Sequence, residues 1–436
     1  MSTAPTGPTA GARAPLAALA PLERERAGLD ACVHCGFCLP ACPTYLALED
    51  ENDSPRGRLL LMGALLDGAV RPDDPQVGAH LDRCLGCRGC ESACPSGVPY
   101  GRLLEATRES LAPHRPLPPM ARAVLAVFAR EWLLRPALLA ARLMRGSGIA
   151  RALARRLPAR LAMPFAMLAS TARPRAAEYD AQAGGAARGR AALLTGCVME
   201  GLFTDVNRAT ERVLAVNGWS LAEAPGQRCC GALHAHAGDA ETARALARAN
   251  IAAFERSGAD VIVLNSAGCG AMCKEYDHLL ADDPSWAARA RAFAGKVRDV
   301  HQLLAEPGPL PAAPAAGAPM RVAYDAPCHL QHAQRIVDAP LQVLRASGAT
   351  LVPLADADQC CGSAGIFSLV QPAVAERVLA PKLDRIAEAG AAVVATGNPG
   401  CLMQIGGGLA RAGRPEAVRH PVELLDEAYA RTRRPH

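Results

Sequence analysis

Cysteine is the residue through which this 436-residue chain could do chemistry, since it occurs seventeen times. Eight of these cysteines form two matching runs, with gaps of two, two and three residues and a proline directly after the last cysteine. The first run is Cys32, Cys35, Cys38 and Cys42, and the second is Cys84, Cys87, Cys90 and Cys94. Thiolates at this spacing are typical ligands of [4Fe–4S] clusters. Structural zinc sites also use paired cysteines, but they do not require the third cysteine and the closing Cys-Pro.

Two runs predict two clusters, and their ligands are expected to cross between the runs. In runs of this type the fourth cysteine binds the neighbouring cluster. The first predicted cluster site, site 1, comprises Cys32, Cys35, Cys38 and Cys94. The second, site 2, comprises Cys84, Cys87, Cys90 and Cys42. Crossed ligation would hold the clusters side by side, and Gly36, Gly86 and Gly89 would let the loops aim backbone N–H groups at the cluster sulfides.

The nine remaining cysteines lie in the C-terminal half of the chain, where the sequence repeats. Four pairs recur at a nearly constant offset of about 131 residues, which indicates a duplication. The pairs are Cys197 and Cys328, Cys229 and Cys360, Cys230 and Cys361, and Cys269 and Cys401. Each set of four thiolates is predicted to hold a further cluster or metal, with Cys273 as a spare ligand or a bystander. The alternative is a structural role, in which these thiols are small buried apolar groups.

Four histidines flank the repeated cysteines: His234, His236, His329 and His332. Imidazole can bind metal, but each repeat already offers four thiolates. We therefore expect these histidines to donate hydrogen bonds or to lie in loops rather than to act as ligands.

The intervening segments predict a multidomain protein with an α-helical ferredoxin domain, a helical linker and two duplicated α/β domains, each with a Cys-Cys-Gly (CCG) motif. Ser54 before Pro55 suits the start of a helix ahead of the apolar run from Leu59 to Val70. Each repeat alternates apolar strands with helices, so parallel sheets with cysteines at the strand carboxyl ends are expected. The predicted helices of the repeats are 204–216, 240–256, 339–346 and 373–389. The predicted segments are a disordered tail at 1–24, the ferredoxin domain at 25–112, a basic helical linker at 113–190, CCG repeat 1 at 191–305, a Pro/Ala linker at 306–319 and CCG repeat 2 at 320–436.

The basic linker has no cysteine, and its many arginines face only three acidic residues, Glu131, Glu178 and Asp180. Segments 124–143 and 149–168 alternate apolar and arginine positions with a helical period. Such helices can lie on an anionic membrane or dock a partner protein. The alternative is that they pack on the neighbouring domains with their arginines in water, since the whole chain uses arginine heavily and has only three lysines.

Net charge, targeting signals and cofactor motifs exclude several classes of protein. The net charge is only +5, and no nucleic-acid partner is expected. The sequence has neither a signal peptide nor a long uncharged apolar run, and thiolate ligands need a reducing compartment. We therefore expect the chain in the cytoplasm, or peripheral on the inner face of the cytoplasmic membrane. There is no dinucleotide-binding glycine motif, phosphate loop or acid–base pair, so no catalytic residue and no flavin are expected in this chain.

The paired cysteine runs followed by two CCG domains resemble the iron–sulfur subunit of bacterial glycolate oxidase over residues 25–430. The most specific stretches are Cys32–Cys38, Ser54-Pro-Arg-Gly-Arg58, Pro327-Cys-His-Leu-Gln-His332 and Gly397-Asn-Pro-Gly-Cys401. The resemblance implies a chain that receives electrons from an FAD-binding subunit that oxidises glycolate to glyoxylate. It also implies a second flavoprotein-like subunit and a membrane quinone or another acceptor. On this interpretation the chain oxidises no substrate by itself.

Three alternatives remain open. The same layout resembles the electron-transfer subunits of other flavin-dependent dehydrogenases, of the anaerobic glycerol-3-phosphate or lactate type. It also resembles the catalytic subunit of heterodisulfide reductase, which uses a full CxxC motif in its CCG domains to bind a non-cubane cluster. Here the corresponding positions are Cys269 with Cys273, and Cys401 with Gln404, which departs from that motif. A structural scaffold whose metals never change oxidation state is the third alternative.

Overall fold

The computed structural model describes residues 19–172, 179, 181, 187–312 and 319–433. Its N-terminal domain is built from short helices packed around the two cysteine runs. These helices are α1 Ala20–Arg24, α2 Arg26–Asp30, α3 Pro43–Leu48, α4 Pro55–Leu66, α5 Pro75–Asp82, α6 Gly89–Ser92 and α7 Tyr100–Leu111, with a 3₁₀ turn at Glu51–Asp53. No strand occurs in residues 19–112, so the spacer between the runs is helical as expected. Its core includes the fully buried Leu22, Met62 and Leu103.

Helix α4 begins as the sequence predicts. Ser54 precedes the helix with extended backbone, and its Oγ accepts a hydrogen bond from the backbone N–H of Gly57 at 3.0 Å. Pro55 occupies the first helical position, where the missing N–H costs nothing. The cap and the proline together fix the start of the helix next to both cysteine runs.

The predicted disordered tail at 1–24 is wrong at its C-terminal end. Residues 1–18 lie outside the described residues, but α1 covers the last part of the predicted tail. Leu19 and Leu22 are buried, and the backbone N–H of Leu22 donates to Ser110 Oγ in α7 at 3.1 Å. Two leucines three residues apart lie on one face of the helix. Their burial against α7 stabilises the helix, although the composition of the tail as a whole is typical of a disordered segment.

The two repeats have the same architecture. Repeat 1 contains β1 Gly189–Leu193, α12 Val198–Leu202, α13 Thr204–Val216, β2 Trp219–Ala222, α14 Ala232–His236, α15 Ala240–Ser257, β3 Val261–Leu264, α16 Ala267–Lys274, α17 Tyr276–Leu279, α18 Ala287–Lys296, β4 Val297–Asp299 and α19 Val300–Ala305. Repeat 2 contains β5 Arg321–Tyr324, a π-helical turn at His329–Ala333, α20 Ala339–Ala346, β6 Thr350–Val352, α21 Phe367–Val370, α22 Pro372–Ala389, β7 Val393–Ala395, α23 Pro399–Arg411, β8 Ala417–Arg419 and α24 Pro421–Arg433. The sheets are parallel, with strand orders β2-β1-β3-β4 and β6-β5-β7-β8. The first strand begins two residues before the predicted start of repeat 1.

The repeats pack on each other reciprocally. Helix α13 of repeat 1 contacts α24 of repeat 2, and α19 contacts α20. Because α13 corresponds to α20 and α19 corresponds to α24, the two contacts are equivalent, as in an approximate two-fold arrangement. At the centre the imidazole rings of His301 and His420 stack with their centroids 5.3 Å apart. Of the predicted Pro/Ala linker, residues 313–318 lie outside the described residues, while Leu310 and Ala312 pack against a core that both repeats share.

The described part of the basic linker contains four helices, because each of the two predicted segments is divided. They are α8 Pro119–Ala129, α9 Glu131–Gly146, α10 Ile149–Arg156 and α11 Ala159–Ser170. The predicted helix at 124–143 is interrupted at Arg130, whose extended backbone separates α8 from α9. Helix α9 packs on α12 of repeat 1 and α11 packs on α23 of repeat 2, so the linker spans both repeats. Its last part, residues 173–178, 180 and 182–186, lies outside the described residues.

Candidate metal centres

The four cysteines of site 1 lie around one surface hollow of about 420 Å³. Cys35 is exposed, and Cys32, Cys38 and Cys94 are half-buried. Gly36 has a φ of 86°, in the left-handed region, which lets the loop turn sharply between its cysteines. Burial raises the pKa of the Cys38 thiol. Cys90 of site 2 also reaches this hollow, so the two sites adjoin.

The four cysteines of site 2 lie around a second, smaller hollow of about 280 Å³. Cys42, Cys84 and Cys90 are buried, and Cys87 is half-buried. Cys84 Sγ accepts hydrogen bonds from the Gly86 backbone N–H at 3.4 Å and from the Tyr100 hydroxyl at 3.6 Å. Burial, followed by the neighbouring thiols, raises the pKa of Cys90 well above its usual value.

The residues of both hollows fit the predicted clusters. All the thiols are free of disulfide bonds, and each hollow gathers its four predicted ligands with N–H or O–H donors or arginine beside them. Such surroundings favour thiolate ligands of an anionic cluster. Cys94 lies with the first run and Cys42 with the second, which is the arrangement that crossed ligation requires. The assignment of individual ligands stays a prediction.

The thiols of repeat 1 converge behind the carboxyl ends of its strands. Cys197 follows β1 and its Sγ lies 3.5 Å from Cys229 Sγ. Cys230 lies within hydrogen-bonding reach of both Cys229 and Cys269. The hydrogen bond from Cys197 lowers the pKa of Cys229 well below its usual value. The sequence-predicted set of four is therefore contiguous in space.

Cys273 lies one turn beyond Cys269 on α16 and is fully buried in the core of repeat 1. It is within hydrogen-bonding reach of Tyr276, and burial raises the pKa of its thiol. Cys273 therefore lies next to the set of four thiols but is not needed to complete the set.

A cleft of about 970 Å³ lies between α9 and this set, lined among others by Leu134, Leu138, Cys197 and Cys229.

The thiols of repeat 2 form an equivalent set. Cys361 Sγ lies 3.3 Å from Cys401 Sγ, and Cys360 lies within hydrogen-bonding reach of Cys328 and Cys361. Cys360 Sγ accepts a hydrogen bond from the Gly362 backbone N–H at 3.4 Å. The side-chain amide of Asn398 donates to Cys401 Sγ at 3.6 Å. Each repeat therefore brings its four matched thiols together at the same end of its sheet.

Site 2 touches the thiol set of repeat 2, a contact that the sequence did not reveal. Cys87 lies within hydrogen-bonding reach of Cys360, and this hydrogen bond lowers the pKa of Cys87. Leu85 and Cys360 are buried in one apolar cluster, against which Cys87 and Cys328 pack. Beside it, His332 Nδ1 lies 2.9 Å from Ser92 Oγ. No local pattern in the sequence links positions so far apart in the chain.

Only one of the four flanking histidines contacts a thiol. His329 Nδ1 lies 3.6 Å from Cys328 Sγ, and burial lowers the pKa of His329 to about 3, so its ring is neutral at pH 7. His236 Nδ1 lies 2.7 Å from Glu105 Oε1, and His234 Nε2 lies 3.1 Å from the Leu125 carbonyl oxygen. The contacts of His236 and His234 join repeat 1 to the ferredoxin domain and to the linker, respectively.

Two arginines near site 2 were missed as functional candidates. Arg58 is fully buried and lines the site 2 hollow. Arg88, in the loop between Cys87 and Cys90, pairs with Glu91 at 2.9 Å and with Glu275 of repeat 1 at 2.5 Å. The Ser54-Pro-Arg-Gly-Arg58 stretch was the available indication for Arg58, because an arginine near cysteine ligands can balance their negative charge.

None of the helices in the described residues combines the length and apolar character that crossing a membrane needs.

Residues 28–98 match the family described as 4Fe-4S dicluster domain. Residues 191–274 and 322–406 each match the family described as cysteine-rich domain.

Two named proteins are similar to this chain over nearly its full length. The probable glycolate oxidase iron-sulfur subunit of Bacillus subtilis is 38% identical, and the alignment covers 91% of this chain and 93% of that protein. The glycolate oxidase iron-sulfur subunit of Escherichia coli is 36% identical, with coverage of 92% and 94%. Lactate utilization protein A of Exiguobacterium is 35% identical, but the alignment covers 54% of this chain and 96% of that protein.

Proposed function

This chain belongs to the family of glycolate oxidase iron–sulfur subunits, and we propose that it is the electron-transfer subunit of a complex in which a flavoprotein oxidises glycolate to glyoxylate. The contact between site 2 and the thiols of repeat 2, through Cys87 and Cys360, is the observation that carries this proposal. Iron–sulfur clusters exchange single electrons, whereas removal of a hydride equivalent from glycolate needs a flavin on a partner. The residues of this chain hold the clusters, shield them and place them in a row.

We propose that the flavoprotein docks at site 1. Cys35 is exposed there, whereas most site 2 cysteines are buried. The loop that carries Cys35 also displays Val33 and Phe37, both about two-thirds exposed although they are large and apolar. Apolar side chains displayed around a redox site are typical of a protein–protein contact. If electrons enter the chain at site 1, site 2 lies between the flavoprotein and the thiols of repeat 2.

Purified chain with its clusters but without flavoprotein should show no glycolate oxidation at any pH. Adding the FAD-binding partner and glycolate should bleach the visible absorbance of the clusters as they are reduced. Phe37→Ser should slow that bleaching roughly tenfold, because burying a side chain of this size contributes about 1.5–3 kcal/mol, and should leave the iron content unchanged. Val337→Ser, which replaces an exposed apolar residue of repeat 2, is the matched control. Glycolate oxidation by the flavin-free chain would refute the proposal.

We propose further that the chain lies peripherally on the cytoplasmic membrane and delivers electrons to a quinone there, with a second flavoprotein-like subunit in the complex. Helix α9 supports this location, because Trp132, Leu139 and Leu143 lie along one stripe and are 72%, 57% and 65% exposed. Another side of α9 packs on repeat 1, where Arg142 Nε donates to the Gly201 carbonyl oxygen. Exposed arginines accompany the stripe on α10, at 151, 155 and 156, and Glu131 is the only acidic residue in 119–170.

An anionic bilayer fits this stripe because arginines attract the headgroups while tryptophan and leucine enter the interface. The full chain should co-sediment with vesicles that contain phosphatidylglycerol, and less so with phosphatidylcholine alone or at high salt. The triple change Trp132→Ser, Leu139→Ser and Leu143→Ser should weaken binding by roughly tenfold or more, whereas Leu221→Ser in repeat 1 should not. Equal sedimentation of the triple variant would assign the stripe to a protein partner instead.

The alternative functions receive less support. Lactate utilization protein A matches about half of this chain, whereas the two glycolate oxidase subunits match nearly all of it. A heterodisulfide-reducing site would need a CxxC motif that begins at Cys401. The third residue after Cys401, where the second cysteine of that motif would stand, is Gln404, which is buried. An amide is a poor substitute for a thiolate ligand, so we favour electron transfer over disulfide chemistry.

A further inference from the structure

The first turn of α4 carries two arginines that line different hollows. Arg56 lines the hollow of site 1, Arg58 lines that of site 2, and Pro55 borders both. Residues two apart on a helix are about 200° apart around its axis, so their side chains leave in opposite directions. The Ser54-Pro-Arg-Gly-Arg58 stretch therefore places one positive charge toward each site.

Gly57, between the arginines, fixes this turn close to the preceding loop. A Cβ atom at Gly57 would lie 2.0 Å from the carbonyl oxygen of Glu51, so only glycine fits without a shift of the backbone. The capping bond from Gly57 N–H to Ser54 Oγ holds the turn from the other side. The positions of the two arginines are thus set by the backbone rather than by flexible side chains alone.

The guanidinium of Arg58 is buried and shares its carboxylate partner with a second arginine. Its Nε donates to the His80 carbonyl oxygen at 2.8 Å, its Nη1 to Thr44 Oγ1 at 3.0 Å, and its Nη2 to Asp53 Oδ1 at 3.2 Å. Asp53 also accepts from Arg83 Nη1 at 3.0 Å. One carboxylate therefore serves two guanidinium groups, and the carboxylate of Asp50 lies within 4.8 Å of it. Arg58 lines the site 2 hollow and neither carboxylate does, so the charge that faces the site 2 thiols is positive.

The charge of Arg56 is balanced and hydrated. Its Nε donates to Glu51 Oε1 at 2.6 Å, and its side chain is 32% exposed. A paired charge in contact with water acts weakly on its neighbours, because the effective dielectric constant is high there. The two arginines of one helical turn consequently differ in their electrostatic effect on the two sites.

We propose that Arg58 raises the reduction potential of the cluster held by site 2, and that Arg56 has no comparable effect at site 1. Reduction adds a negative charge, which a buried guanidinium stabilises, whereas burial of the site alone would disfavour it. Arg58 offsets that burial and keeps site 2 able to accept electrons from site 1. This inference rests on the cluster assignment in the proposed function.

A redox titration of the full chain with reconstituted clusters, followed by electron paramagnetic resonance, tests the proposal without any partner. The site 2 signal is the one that a Cys94→Ser chain retains and a Cys42→Ser chain loses. At the wild-type midpoint, Arg58→Gln should lower the ratio of reduced to oxidised site 2 at least tenfold, which for one electron is a shift of 59 mV. Arg58→Lys, which keeps the charge, should shift the midpoint much less, and Arg56→Gln should leave the site 1 midpoint nearly unchanged.

Arg83→Gln is the matched control, since Arg83 also pairs with Asp53 but does not line the hollow. An Arg83→Gln shift as large as that of Arg58→Gln, or an unmoved site 2 midpoint in Arg58→Gln, would overturn the inference while leaving the proposed function intact. If Arg58→Gln fails to fold, Asp53→Asn supplies the opposite change in charge and should raise the site 2 midpoint. A fall in that variant would also overturn the inference. Absence of any cluster signal in the wild-type chain would instead refute the cluster assignment itself.

Discussion

Replacing Cys94 with serine should remove the iron of site 1 while site 2 keeps its own, although Cys94 follows the site 2 cysteines in the sequence. The reason is that Cys94 lines the hollow of Cys32, Cys35 and Cys38. Loss of one of four thiolates leaves an iron without its ligand, so up to a whole cluster is expected to be lost. Iron analysis and paramagnetic resonance of the full chain measure the outcome.

The reciprocal change, Cys42→Ser, is the control for this experiment. Cys42 belongs to the first run but lines the site 2 hollow with Cys84, Cys87 and Cys90. It should therefore remove the site 2 signal and spare that of site 1. If each change damages the cluster of its own run instead, the ligands do not cross and our assignment of both sites is wrong.

The full chain should bind more iron than two [4Fe–4S] clusters contain, because the thiol sets of the two repeats are predicted to hold further clusters. The double change Cys360→Ser and Cys361→Ser should remove the iron of repeat 2, and Cys229→Ser with Cys230→Ser that of repeat 1. Cys273→Ser is the matched control, since this thiol is buried next to a set without being needed to complete it.

The measurement is iron per chain after anaerobic reconstitution. It needs the full chain, because α9 and α11 of the linker pack on the repeats and a truncated repeat would expose those contacts. Eight irons per chain in the wild type, unchanged in both double variants, would leave the repeats as zinc-binding or docking domains. Loss of iron in Cys273→Ser would make Cys273 a ligand.

Local chemistry made several elements predictable from the sequence. The start of α4 follows from a serine cap and a proline, and α13 and α20 begin and end at the predicted residues because their apolar faces have a clear helical period. The constant offset of the cysteines indicated the repeats, which share one strand order in the structure. Each of these features is encoded within a few residues or in a simple repetition.

The features that escaped prediction depend on contacts between distant segments. Cys87 meets Cys360 only because two domain surfaces fit together, and no periodicity records such a fit. The burial of Arg58 likewise depends on Thr44 and His80 from other elements. Segment 20–24 becomes helical because α7 offers an apolar surface, although its composition resembles that of a disordered tail.

Joining both repeats in one chain allows the residues at their reciprocal contact to differ. A pair of identical single-repeat chains joined in this way would set each residue near the axis against its own copy. In the present chain Asp299 and His420 occupy equivalent places, and each caps the final helix of its repeat, by accepting from His301 N–H at 2.9 Å and from Val422 N–H at 3.1 Å. Because both repeats belong to one chain, these two positions need not hold the same residue, so one half of the interface can change without altering the other.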